Sequence, residues 1–289
     1  MDRVTTFCRL RASLAPLVRP VLEHVAPIRW VAMKWLTRRQ PAEVQIGGLA
    51  YAVHPADFGV TFEIASTGDY EPVTRAACAA ALKPGDTFID IGAHVGLFTV
   101  PASAVVGATG RVIAFEPSPD NRLLLEANTK RHGCENVEVV AAAVADRSGE
   151  MTLSQSRINT GDHRLGETRG RSGVRVQVVA LDEWLASRSL VPKVIKMDVQ
   201  GAEPLVLAGM KELLGSEHPL QVLLEFAPSM LRAAGSDPLR LLEGLQANGF
   251  VLHIIDERRG NTVSASPTDI MEACPSRGYV NLHAIRSAV

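Results

Sequence analysis

The residues best placed to do chemistry are one acid and two glycines, in the run Asp90-Ile91-Gly92-Ala93-His94-Val95-Gly96, and a second acid, Glu116, 20 residues past Gly96. Gly92 permits a turn that a side chain would block, and Gly96 lets the following helix begin close to the preceding strand. A ligand can then lie against bare backbone and free N–H groups. Glu116 sits where a carboxylate accepts hydrogen bonds from both hydroxyls of a ribose. A nicotinamide site favours G-x-G-x-x-G, shaped for pyrophosphate. Here an acid stands two residues before the first glycine; it would repel a pyrophosphate but suit an ammonium or a sulfonium. S-adenosylmethionine carries both, so the spacing points to that methyl donor.

The elements that must hold these residues can be read from the flanking pattern. Thr87–Ile91 is a short apolar run bounded by Pro84-Gly85 and Gly92, which predicts a buried strand. A helix follows to about Val106, then a strand at Val112–Phe115 closing on Glu116, with Ser118-Pro119 as N-cap and first residue of the next helix. Upstream, Val44–Ile46 and Leu49–Val53 flank Gly47-Gly48 as a hairpin. An extended piece is expected near Val60–Ala65 and a helix from about Tyr70 to Leu82. Downstream, strands are expected at Val137–Ala141, near Met151–Leu153, and at Val174–Val179, Val194–Asp198, Leu220–Phe226, Phe250–Ile255 and Tyr279–Ile285. Between them fall helices at Pro119–Arg131, from Leu181, from Gly201 to about Leu214, and at Pro238–Asn248. Residues 155–173 read as a long polar, glycine-rich loop, of the kind that is functional or mobile. Strands alternating with helices predict an α/β fold with a doubly wound, mostly parallel sheet, the last strand being an antiparallel addition. The expected division is residues 1–66, a helical extension and hairpin, and residues 67–289, the catalytic domain.

At 289 residues, with 46% hydrophobic and 21% charged residues, the chain can bury a full core. Its net charge of −1 provides no long-range attraction to nucleic acid. The charge is uneven: eight basic residues among the first 40 face only Asp2 and Glu23. That basic, amphipathic stretch is expected to pack on the core or on a sister subunit in a homodimer, with peripheral contact to an anionic membrane as the alternative. Cys8, Cys78, Cys134 and Cys274 lack C-x-x-C spacing and read as reduced thiols rather than a metal cluster. No apolar run approaches the ~18–20 residues that span a bilayer. A cytoplasmic location is therefore the expectation.

Five motifs together resemble the FkbM-type methyltransferases, a class I S-adenosylmethionine-dependent family. They are GDYE (68–71), LKPGDTFIDIGAHVGLFT (82–99), GRVIAFEPSPDN (110–121), ENVEVVAAAVADRSG (135–149) and VIKMDVQGAEPLVLAGM (194–210). The resemblance implies a Rossmann-like seven-stranded sheet and O-methylation of sugar hydroxyls or secondary-metabolite scaffolds. By position it assigns Asp90, Gly92, Ala93, His94 and Gly96 to the methionine end of the cofactor, and Glu116, Pro117 and Ser118 to the ribose. Ala142, Ala143 and Asp146 fall at the adenine edge, and Glu71 covers the methionine amino group. His94 stands where the family usually has Asn, and a titratable ring there would make cofactor affinity pH-dependent.

Methyl transfer to a hydroxyl is an in-line displacement in which the protein aligns three atoms and takes a proton. Asp198, at a strand end, is the expected general base or hydroxyl orienter, with a helix-capping role as the bland alternative. Glu203 reads as a first-turn helix acid. His163 is the alternative base. Asn159, Asp162 and Glu225 are expected at the acceptor, and Asp198 with Glu225 could hold Mg²⁺, although a metal is not expected. The competing functions are a non-catalytic S-adenosylmethionine-binding partner subunit and a nucleic-acid methyltransferase. Mild acidity and few aromatic residues argue against the latter. A nicotinamide oxidoreductase is a more distant alternative.

Overall fold

A computed structural model describes residues 41–55, 57, 59–156, 159–168, 170–274 and 278–287. The expected N-terminal helices, and their packing, dimer and membrane roles, lie outside the described residues. The described chain divides into two compact units. The smaller runs to Tyr70 and also takes Ser156–Asp162, a segment expected from sequence in the catalytic domain; the larger takes Glu71–Gln155 and the chain from His163 onward.

In the smaller unit, β1 (Glu43–Ile46) and β2 (Leu49–Ala52) pair antiparallel around Gly47 and Gly48. Both glycines have positive φ, 55° and 81°, as a two-residue hairpin turn of matching twist requires. The extended piece expected near Val60–Ala65 is instead a helix, α1 (Val60–Thr67). A short apolar, β-branched run is ambiguous in period, and here the ends decide. The Asp57 carboxylate accepts from Gly59 N (2.9 Å) and Thr61 N (2.8 Å), satisfying first-turn donors. Gly68, at φ 82°, closes the other end with a left-handed cap.

The larger unit opens with α2 (Pro72–Ala81), β3 (Thr87–Ile91), α3 (Thr99–Val106) and β4 (Arg111–Phe115). Next come α4 (Pro119–Arg131), β5 (Val137–Val140), β6 (Ala142–Val144), β7 (Gly149–Gln155), β8 (Arg164–Leu165), β9 (Ser172–Val179) and α5 (Leu181–Ala186). The rest is β10 (Val194–Met197), α6 (Glu203–Ala208), α7 (Lys211–Gly215), β11 (Leu220–Phe226), α8 (Pro228–Ala233), α9 (Pro238–Ala247), β12 (Val251–Asp256), β13 (Asn261–Ser264), α10 (Pro267–Ala273) and β14 (Val280–Arg286).

The main sheet runs β13-β12-β14-β11-β10-β3-β4-β5. Strands β5, β4, β3, β10 and β11 are parallel, and β14 inserts antiparallel between β11 and β12. Seven of these strands are the expected doubly wound sheet; β13 adds an exposed antiparallel edge. Central strands buried on both faces explain the unbroken apolar runs in sequence. Phe88, Ile89, Phe115, Ile195 and Val222 are sealed from solvent, each worth roughly 1.5–3 kcal/mol of burial. Phe115 also meets the Trp184 ring edge to face at 5.1 Å. A second sheet, β6-β9-β7-β8, takes up part of the region expected as a long loop, because β9 starts at Ser172 and β8 falls inside it.

The single helix expected from Gly201 to Leu214 is broken in two. A side chain at Gly209 would overlap the Ala145 carbonyl, so the chain passes close to β6 there. The Gly209 carbonyl accepts from Asp182 N (2.9 Å). The Asp182 carboxylate then caps α7 through Glu212 N (2.8 Å) and Leu213 N (3.1 Å). At the other end of α7, Arg286 of β14 donates to the carbonyls of Leu213, Leu214, His218 and Asn248, filling acceptors a helix end leaves open.

Candidate active site

Chain order reverses between β3 and β10: β4 and β5 extend one way, β11 the other. Ligands of open α/β sheets bind in the crevice outside the carboxyl ends at such a point, and the larger unit gathers most of the expected site residues there. Gly92 N and Ala93 N both donate to Phe115 O (3.0 Å each), folding the turn back over β4. Gly92 has φ 81°, and any side chain on it would strike the Asp198 carbonyl, so this position requires glycine twice over. Gly96 has φ 91°, but the helix proper starts only at Thr99, leaving a longer turn than the pattern suggested.

Glu116 is almost fully buried, and each of its oxygens takes one backbone donor: His94 N at 2.9 Å and Ser118 N at 2.8 Å. The Asn121 side chain also bonds this carboxyl, and the acceptor capacity that remains fits a ribose hydroxyl. Burial pushes the Glu116 carboxyl up to about 7, with those two N–H groups and Asn121 pulling the other way. His94 has φ 52°, the left-handed region in which Asn and His are enriched. Its contact with Glu116 is through the backbone, so the His-for-Asn exchange preserves what this turn uses. Ser118 is the N-cap of α4 and Pro119 its first residue, yet the Ser118 hydroxyl makes no cap bond. Pro117 is half-buried beside it.

Asp90 is 1% exposed; Oδ2 accepts from Thr99 Oγ1 (2.6 Å), while Oδ1 is buried without a hydrogen bond among the described residues. Desolvation raises its pKa, opposed by Lys196 and Thr99. Glu71 is the N-cap of α2, with the backbone left-handed at φ 44° and no side-chain cap bond. Its carboxyl turns toward the sheet and accepts from Asn281 Nδ2 at 2.9 Å. Burial raises it to about 7, against the pull of Lys196. Asp198 follows β10 directly. Gln200 Nε2 donates to Asp198 Oδ1 (2.8 Å) and to Glu225 Oε1 (3.1 Å), and Lys196 Nζ lies 3.5 Å from Asp198 Oδ2. Desolvation, then the Asp198 charge, holds the Glu225 carboxyl well above its ordinary range. A small cleft is lined by Glu71, Lys196, Asp198, Glu225 and Asn281 over Leu223 and Leu224.

Lys196 is the centre of this cluster, and the sequence reading passed over it. Burial pulls its ammonium down, but Asp198, Asp90, Glu71 and Glu225 outweigh this and hold the pKa above its usual value. The Phe98 ring lies 4.7 Å beneath it. The available signal was a lysine inside Val194–Met197, a strand otherwise apolar; lysine is rarely fully buried without partners.

Ala142 and Ala143 are buried in β6, and Ala143 packs with Ala145 and Val178 in the second sheet's core. Asp146 is exposed and paired with Arg147 at 3.2 Å. Asn159 and Asp162 belong to the smaller unit. There Asn159 Oδ1 accepts from Gly161 N (3.0 Å) and Asp162 N donates to Asn159 O (3.0 Å), a local turn. His163 is half-buried and precedes β8. Glu203 is buried at the start of α6, accepts from Gly201 N (3.2 Å), and is pushed by burial to about 7. Among the described residues no three His, Cys, Asp or Glu side chains gather as metal ligands. Asp198 and Glu225 share the Gln200 amide.

The raised carboxyls have a consequence for stability. Glu71, Glu116 and Glu203 bind protons in the fold that the unfolded chain has released between about pH 4.5 and 7. Their stabilisation is complete below 4.5 and disappears as pH rises through 7. The melting temperature of the ligand-free protein should therefore fall by several degrees from pH 5.5 to 8, and less so in Glu116→Gln. A flat or rising profile would contradict the burial of these carboxyls.

The sheet order and the glycine turn with its terminal acid define a class I S-adenosylmethionine-dependent methyltransferase. Residues 90–252 match the Methyltransferase FkbM domain, and the chain belongs to that family. It is 27% identical over 199 residues to hexuronic acid methyltransferase AglP of Haloferax volcanii, covering 68% of this chain and 80% of that protein. It is also 27% identical over 218 residues to 31-O-demethyl-FK506 methyltransferase FkbM of Streptomyces tacrolimicus, covering 62% and 82%. Among solved structures it is similar to precorrin-6y C5,15-methyltransferase of Geobacter metallireducens (16% identity, TM-score 0.41, 74% and 87% covered). No helix of the described residues is long and apolar enough to cross a membrane.

Proposed function

We propose that this protein methylates a hydroxyl oxygen of a small molecule, a sugar or a secondary-metabolite scaffold. The observation that carries the reading is the cleft at the ends of β10 and β11, where Asp198 is held by Gln200 and faced by Lys196. When bound, S-adenosylmethionine supplies an electrophilic methyl group on a sulfonium. The chain's own residues do the rest. Glu116 accepts hydrogen bonds from the ribose hydroxyls, with Pro117 and Ser118 alongside. Asp90 and the turn Gly92–Gly96 hold the methionine end, and Glu71 takes the ammonium. Asp198 orients the acceptor hydroxyl and removes its proton, while Lys196 offsets the charge that four carboxylates bring to one small volume. Glu225, tied to Asp198 through Gln200, contacts a neighbouring acceptor group. The names of the two curated relatives, one for hexuronic acid and one for a demethylated FK506, support a hydroxylated small molecule.

The test is incubation with isotope-labelled S-adenosylmethionine and a panel of sugars, glycosides and hydroxylated polyketides. The expected result is label on an ether oxygen of a small molecule. Label found only on nucleic acid, or S-adenosylhomocysteine binding with no transfer to any panel member, would favour the nucleic-acid and partner-subunit readings instead.

A further inference from the structure

The N-terminus of α2 is capped in an unusual way. Its N-cap residue, Glu71, carries a side chain able to take a first-turn N–H but makes no such bond. The donors go instead to Glu257, in the turn after β12 and 184 residues beyond Val73 in sequence. Val73 N donates to Glu257 Oε2 (2.9 Å), while Thr74 N and Thr74 Oγ1 both donate to Oε1 (2.8 and 2.7 Å). Three bonds to one carboxylate leave the helix end with no further use for the Glu71 side chain. The Thr74 hydroxyl then accepts from Asn281 Nδ2 (3.0 Å), whose other contact is Glu71 Oε1 (2.9 Å). A continuous path, Glu257 to Thr74 to Asn281 to Glu71, thus joins the β12–β13 turn to the cleft. Glu71 and Asn281 are buried, at 5% and 6% exposed, so neither can exchange these partners for bulk water.

We infer that Glu257 is a positioning residue: by capping α2 in place of Glu71 it frees the Glu71 carboxylate and holds it in the cleft. With Glu257 gone, the N–H groups of Val73 and Thr74 and the Thr74 hydroxyl lose their acceptor, and the Glu71 carboxylate, on the N-cap residue, is drawn toward the open helix end. Glu71 would then leave Asn281 and the cleft. The inference rests on the reading of Glu71 as the group that meets the cofactor's ammonium, and it adds a residue outside the matched family region, 90–252.

The experiment measures S-adenosylmethionine affinity by calorimetry, with melting temperature alongside, for the full chain and for Glu257→Ala, Glu257→Gln, Glu71→Gln and the double variant Glu71→Gln/Glu257→Ala. The expected result is a loss of about tenfold (about 1.4 kcal/mol) in Glu71→Gln and in Glu257→Ala, with the double variant no weaker than either single one. Glu257→Gln, which keeps one acceptor oxygen for the helix end, should recover part of the affinity and stay folded if the Ala variant does not. A cap with no further role would lower the melting temperature and leave affinity alone. Normal affinity in both Glu257 variants beside a weakened Glu71→Gln would overturn the positioning role and spare the Glu71 reading. Normal affinity in Glu71→Gln would overturn both.

Discussion

Asp198→Asn is expected to lower the rate of methyl transfer by about 10²- to 10⁴-fold, the range over which a positioned proton acceptor contributes. Asparagine keeps the size of the side chain and can still accept from Gln200 Nε2, which now stands 2.8 Å from Oδ1. It cannot take a proton, and it presents an amide where Lys196 Nζ now meets a carboxylate oxygen at 3.5 Å. The loss should therefore fall on turnover, with S-adenosylmethionine affinity little changed. Single-turnover transfer of a labelled methyl group to an acceptor from the screen, with calorimetry on the same preparation, separates the two. A rate within about threefold of the parent, less than ~1 kcal/mol of barrier, would remove Asp198 from its role. His163→Ala, run beside it, tests the rival base.

The second large effect concerns the cofactor. Replacing Glu116 by Ala removes two charge-assisted acceptors and strands the N–H groups of His94 and Ser118, which the carboxylate now holds at 2.9 and 2.8 Å. At about 1.5 kcal/mol or more for each such bond, S-adenosylmethionine and S-adenosylhomocysteine should both bind about 100-fold more weakly. Because the turn of residues 92–96 is also folded by backbone bonds to Phe115, the protein should remain folded. Calorimetry with the two nucleosides decides, and a dissociation constant within threefold of the parent for both would show that the ribose is gripped elsewhere.

The parts of this site that could be read from sequence were those built from neighbours in the chain. The strand Thr87–Ile91, its glycine turn and Glu116 are one continuous βαβ unit, so apolar period and spacing were sufficient. Where local signals are ambiguous the reading failed. Val60–Ala65 has the composition of a strand, and only Asp57 and Gly68 at its flanks make it a helix. The break at Gly209 has its cause in the Ala145 carbonyl, 64 residues away. The same holds for the chemistry. Lys196 and Gln200 stand inside the 194–210 motif without a role read for them, and Thr74, Asn281 and Glu257 lie in none of the five motifs. They acquire meaning from contacts up to 210 residues apart in sequence, which no spacing rule reports. Asn159 was expected at the acceptor, and its side-chain oxygen accepts from Gly161 N within its own turn.

The position of β14 bears on how the molecule comes into being. It follows every other strand of the main sheet in chain order, yet it is wedged between β11 and β12 and brings Asn281 to Glu71 and Arg286 to the end of α7. On the ribosome, residues 280–286 emerge after both of its neighbours. Until they do, β11 and β12 each present an open, apolar border to the surrounding cell, the condition under which partly made chains adhere to one another. Nascent chains arrested before Val280 should thus be clients of chaperones and blind to the methyl donor, and competence should arrive in one step when that wedge is driven home.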